Sequence, residues 1–174
     1  MLSWPIWLGA LLLGFALPVA SADMPEQAAR GRKIFFDDSN AKRCALCHQL
    51  GGEGRAVGPD LTRLARLSPK AIVVSINASR TVYAQEITLK GRRSFPAMVV
   101  SDQEGKVRLY DLSKMPPEEL TLDRSEIYSI KDNASWRHPP ESTGYTDAQL
   151  ADLVAYIRWM AYRDTKGVDP SEVK

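Results

Sequence analysis

The chain has 174 residues, with 23 Lys and Arg against 21 Asp and Glu, a formal net charge of +2, and 44% hydrophobic residues. That length and hydrophobic content support one packed domain and leave too little chain for two comfortable ones. The near balance of charge excludes general nucleic-acid binding, which needs a strongly basic surface.

The first notable segment is the apolar run from Ile6 to Leu17, interrupted only by glycines and followed by Pro18 and Ala20-Ser21-Ala22. The run is shorter than the ~20 residues of a membrane span. Small residues at 20 and 22 suit a signal peptidase. Residues 1–22 are therefore expected to be a signal peptide, with a mature chain starting at Asp23 and no stable membrane insertion after cleavage. Because Met1 to Trp4 include no Lys or Arg, an uncleaved anchor is the rival expectation. There is no lipobox cysteine.

Pro25 to Asp37 predicts the first helix, with Ala28, Ala29, Ile34 and Phe35 as its apolar contacts. Gly31 inside it costs about 1 kcal/mol relative to alanine. A close crossing with another helix would explain why it stands there.

Cys44-Ala45-Leu46-Cys47-His48 is a C-x-x-C-H run and contains both cysteines of the chain. It is the attachment signal for c-type haem. The two thiols add across the porphyrin vinyl groups as thioethers, and His48 supplies an imidazole as proximal ligand to the iron. A redox dithiol normally sits beside a βαβ pattern, and none surrounds this one. A zinc site needs about four ligands, and only His138 could join the cluster. The expected cofactor is one covalent haem c with its iron. Haem attachment of this kind belongs outside the cytoplasm. Together with the N-terminal segment it points to the periplasm of a bacterium with an outer membrane. Arg30, Arg32, Lys33, Lys42, Arg43, Arg55, Arg63 and Arg66 crowd this part of the chain. Solvated surface is the plain reading; a mildly positive rim that steers an acidic redox partner is the functional one.

Gly51-Gly52-Glu53-Gly54 predicts a flexible loop, followed by Gly58-Pro59-Asp60-Leu61. Ser68-Pro69 reads as an N-cap and a proline at the first helical position. The helix it opens should run to about Ala78 and bury Ile72, Val73 and Ile76. The period then changes. Strands are expected over Val82 to Leu89, Phe95 to Val100, Val107 to Tyr110 and Glu119 to Leu122, with turns at Lys90-Gly91 and Asp102 to Gly105. Pro96 argues for a sheet edge or bulge, and Met115-Pro116-Pro117 lies in a loop. The expectation is an antiparallel β insertion over 82–130. Thr146-Asp147-Ala148-Gln149 is a capping box. Leu150, Leu153, Val154, Ile157 and Ala161 follow at helical spacing, widened by Tyr156 and Trp159. Residues 164–174 are expected to be a frayed polar tail.

Gly31-Arg32-Lys33-Ile34-Phe35, the C-x-x-C-H run, Gly58-Pro59-Asp60-Leu61 and the stretch from Leu150 to Ile157 together resemble a class I, monohaem cytochrome c domain. The inserted strands make the chain similar to haem-binding domains with a β insertion known from planctomycete and verrucomicrobial proteins. The resemblance runs from about Glu26 to Trp159. It implies a mainly α fold, a helical haem domain over 23–163 carrying the insertion. Gly31 and Phe35 would meet Tyr156 where the first and last helices cross. Pro59 would pack against His48, and nearby backbone would accept the imidazole's other N–H and fix its orientation. In the family a Met-Pro pair before the last helix usually supplies the sixth ligand. Here that position reads Arg137-His138-Pro139-Pro140. His138 is thus the expected distal ligand, with Met115 as its main rival and Met98 behind it.

The implied function is a periplasmic carrier of single electrons between redox partner proteins, without enzymatic activity of its own. The alternatives are a haem enzyme or gas-binding protein with an open distal site, and a haem subunit docked to a larger dehydrogenase or oxidase.

Overall fold

A computed structural model describes residues 23–40, 43–77, 83–139 and 143–174. The apolar N-terminal segment and Lys42 lie outside these residues. Helix α1 (Glu26–Phe35) and helix α3 (Asp147–Tyr162) cross at Gly31. A Cβ there would press on the carbonyl oxygen of Asp152 and come within 2.8 Å of Tyr156 Cβ. The glycine therefore stands where two backbones meet, and its helix-propensity cost is offset by that contact. Beside it Phe35 and Tyr156 pack with ring centroids 5.9 Å apart. Arg30 on α1 grips Asp152 on α3 with two hydrogen bonds of 3.0 Å. The capping box forms as expected: Thr146 accepts from the Gln149 backbone, and the Gln149 side chain accepts from the Thr146 N–H. Helix α2 (Pro69–Asn77) starts where Ser68 Oγ accepts from Ala71 N at 3.3 Å, and it buries Ile72 and Val73.

Two segments differ from expectation. Gly51 and Gly52 form a tight hairpin between strands β1 (Gln49–Leu50) and β2 (Glu53–Gly54). Both have positive φ, 61° and 86°, the requirement of a two-residue hairpin turn. The C-terminal segment is polar but not frayed. Gln27 makes two side-chain hydrogen bonds to the Val168 backbone, Asp169 caps a 3-10 turn at Pro170–Val173, and Val168 and Val173 are buried against the helices. Two valines among polar residues carry too little periodicity to announce a docked segment.

Between α2 and α3 lies a five-stranded antiparallel sheet: β3 (Gln85–Leu89), β4 (Ser94–Gln103), β5 (Lys106–Asp111), β6 (Glu118–Asp123) and β7 (Ile127–Asp132), in the order β6-β5-β4-β3-β7. Among the described residues the strands hold slightly more of the chain than the α-helices. The expectation of a mainly α fold is therefore wrong; the protein is mixed α and β. Long amphipathic helices announce themselves more strongly than strands, four of which here have only five or six residues, and this weights the sequence reading toward helix. Strand β7 had no forecast of its own, because Tyr128, Ser129 and Lys131 blur its alternation. Pro96 sits in the central strand, not at an edge. It pairs with Glu86 of β3, while its carbonyl accepts from Leu112, just past the end of β5. Its missing N–H thus falls where no β5 residue remains to be bonded. The bulge lies further along, between Val99 and Ser101.

The two parts have separate cores. Phe35, Leu50, Ile72, Leu153, Val154 and Tyr156 belong to the helical one. Ile87, Phe95, Ala97, Val107, Leu109 and Ile127 belong to the sheet. Among the described residues no helix packs extensively against this sheet.

Candidate haem site

A cavity of about 1140 Å³ lies between the two parts. Small-molecule sites typically span about 300–1,000 Å³, so the space suits a macrocycle. One wall is built by a single 3-10 turn over Cys44–Leu46. Cys47 N and His48 N both donate to the Cys44 carbonyl, at 3.1 and 2.9 Å, and this turn brings Cys44, Cys47 and His48 to the same cavity. Burial pushes both thiols up, Cys47 to about 11, so they stay protonated at neutral pH.

His48 is held from behind. Its Nδ1 lies 2.8 Å from the Pro59 carbonyl and donates to it, which leaves Nε2 for a metal. The ring lies against Gly58, where a Cβ would come within 2.7 Å of Cε1. Gly58 N is itself fixed by the Cys47 carbonyl at 2.6 Å. Burial pushes the His48 pKa below its ordinary value, against the raising effect of the Pro59 carbonyl and the Asp60 charge. A neutral imidazole is the form that ligates metal.

The opposite wall comes from the sheet and the segment after it. Asn133 anchors that segment: its N–H donates to Ala84 O and its side-chain amide to Glu86 Oε2, both at 2.9 Å. Arg137 Nη1 donates to the carbonyls of Ala134 and Trp136, at 2.8 and 2.7 Å. The segment delivers His138 across from His48, with ring centroids 6.1 Å apart. Two imidazoles bound on opposite sides of one metal ion, at about 2 Å per metal–nitrogen bond, would have centroids about 6.3 Å apart. His138 Nδ1 is buried without a hydrogen-bond partner, so Nε2 is the nitrogen left for a ligand. Burial, and then the charge of His48, push the His138 pKa down.

The structure thus brings Cys44, Cys47, His48, Pro59 and His138 to one cavity. Met98 and Met115 line it as well. Sequence reasoning missed the support given by Gly58, although its place before Pro59 was a signal. It also missed Trp136, whose ring meets His138 edge-on at 5.1 Å, and Tyr145, whose hydroxyl lies beside Cys44; neither carries a local pattern. Of the basic residues, Arg30, Arg32 and Arg43 are in ion pairs, and Arg55 lies over the Tyr110 ring. Lys33, Arg63 and Arg66 make no ion pair with another described residue, and Arg63 lines the cavity. Among the described residues no group of three or more Cys, His, Asp or Glu is arranged to hold a bare metal ion.

A family model for cytochrome c matches residues 28–161. The chain belongs to the cytochrome c family. A search of curated proteins finds no match. As a cytochrome c it binds haem c and transfers electrons. The residues of this cytochrome fit that group: two thiols and a braced imidazole on one wall, and a buried imidazole on the other. No helix among its described residues is long and apolar enough to cross a membrane.

Proposed function

We propose that this cytochrome is a periplasmic carrier of single electrons, holding one haem c on Cys44 and Cys47 with His48 and His138 as axial ligands. The observation that carries this reading is the facing of the two imidazoles, 6.1 Å apart, across the cavity that also receives both thiols. Bound haem supplies the one-electron chemistry. Pro59 holds the Nδ1 proton of His48 and with it the ring's orientation. Val57, Leu61, Leu64 and Ile76 line the cavity with apolar surface and limit water. Were His48 and His138 both to ligate the iron, no position would be left for substrate, which favours electron transfer over substrate binding.

The pattern over residues 1–22 supports export, and the sheet between α2 and α3 supports kinship with the planctomycete and verrucomicrobial haem-binding domains. Lys33, Arg63 and Arg66 favour a partner with an acidic face. The test is the oxidised spectrum of the periplasmically expressed protein, with the intact mass of its chain. Bis-histidine iron lacks the long-wavelength band of methionine-ligated ferric haem. Such a band, kept in His138→Ala and lost in Met115→Ala, would overturn the ligand assignment. A chain that retains residues 1–22 would favour the anchor.

A further inference from the structure

The two facing imidazoles are held in different ways. His48 is braced by the 2.8 Å bond to Pro59 O and by the Gly58 backbone beneath its ring. His138 has no such brace. Its Nδ1 is buried with no hydrogen-bond partner, and its aromatic neighbour besides His48 is the ring of Trp136, met edge-on. An acceptor for the outer N–H makes a metal-bound imidazole a stronger ligand, and its loss typically costs 10–100-fold in metal affinity. The two histidines also come from different parts of the fold, His48 from the turn beside the helices and His138 from a segment anchored to the sheet side, and among the described residues no helix packs extensively against that sheet. On that side Met98, Val99, Leu112 and Met115 present apolar surface to the cavity.

We propose that His138 is a displaceable ligand, and that its place is taken in the reduced protein by a small, neutral, π-accepting diatomic molecule. The proposal rests on the bis-histidine reading. The iron–Nε2 bond to His138 breaks and a bond from iron to the diatomic forms. The Nε2 lone pair returns to His138, and no electron changes hands. The apolar residues on this side suit a neutral entrant, and the Arg137 guanidinium on the same wall is turned to the Ala134 and Trp136 carbonyls.

The test uses the holoprotein, reduced with dithionite and mixed with carbon monoxide in a stopped-flow spectrometer. Binding should go to completion. Its rate should rise with carbon monoxide and level off at a ceiling set by the departure of His138. In His138→Ala the rate should climb in proportion to carbon monoxide, at least tenfold above the wild-type ceiling. Added imidazole should bring the ceiling back. Where His138→Ala does not accumulate, His138→Gln serves in its place. A bis-histidine spectrum with no carbon monoxide uptake overturns this proposal and leaves the ligand assignment standing. Wild-type uptake without a ceiling, unchanged by His138→Ala, overturns the ligand assignment and this proposal with it. A ceiling kept in His138→Ala and lost in Met115→Ala makes Met115 the displaced ligand and also refutes the proposal.

Discussion

Gly58→Ala tests the brace behind His48 with a single methyl group. The backbone at Gly58 has no positive φ, so alanine is acceptable there and the effect comes from contact alone. The new Cβ would stand 2.7 Å from His48 Cε1 and 3.0 Å from Nδ1. Ordinary carbon contacts begin near 3.5 Å, so the ring must retreat by roughly 0.8 Å. A shift of that size is enough to carry the 2.8 Å bond to Pro59 O beyond hydrogen-bond range. Overpacking costs about 1–3 kcal/mol, and the stranded N–H adds a penalty of about the same size. The electronic effect has a definite sign. Without its acceptor the imidazole donates less, and the ferric state loses more than the ferrous. A tenfold loss confined to the ferric state raises the potential by about 59 mV. Optical redox titration of wild type and Gly58→Ala should show a rise on the order of 60 mV, with a lower thermal midpoint. Equal potentials and equal midpoints would refute the argument that Gly58 and Pro59 hold the ring.

Replacing both Cys44 and Cys47 by serine should abolish covalent pigment, read by haem stain after denaturing electrophoresis; pigment that persists would exclude thioether attachment at these positions. Gly31→Val should destabilise the protein by at least about 1–3 kcal/mol, because its side chain meets the Asp152 backbone and Tyr156; an unchanged denaturation midpoint would contradict the close crossing. The haem-free chain should lose stability as the pH falls below about 6.5. His48 and His138 are both lowered by burial, so the unfolded chain binds more protons there and is favoured. Urea midpoints that do not fall between neutral and mildly acidic pH would contradict it.

The parts of this fold that were legible in the sequence are those where one residue type has one physical job. Cys44, Cys47 and His48 declare their cofactor by spacing. Thr146 and Gln149 declare a helix start by reciprocal hydrogen bonds. Gly31 declares a close approach. The balance between helix and strand was less legible, since β7 owes its place to pairing with β3, a partner some forty residues earlier. The central position of Pro96 depends on where β5 stops, which nothing near Pro96 records. The docked C-terminus depends on Gln27, far away in α1. The meeting of His138 with His48 was anticipated by its place before the last helix. The anchor that brings it there, Asn133 bonded to Ala84 and Glu86, has no local signature.

The separation of the two cores bears on how the cofactor sits. Cys44, Cys47 and the braced His48 belong with the helices, whereas the facing wall and the anchor of His138 belong with the sheet. Among the described residues neither core borrows a buried side chain from the other. A planar ring held in this cavity would lie with the thiols on one side and the sheet on the other. A haem bound there would serve as mortar as well as wire, adding its two faces to the few contacts, such as Arg55 over the Tyr110 ring, that join the two parts among the described residues.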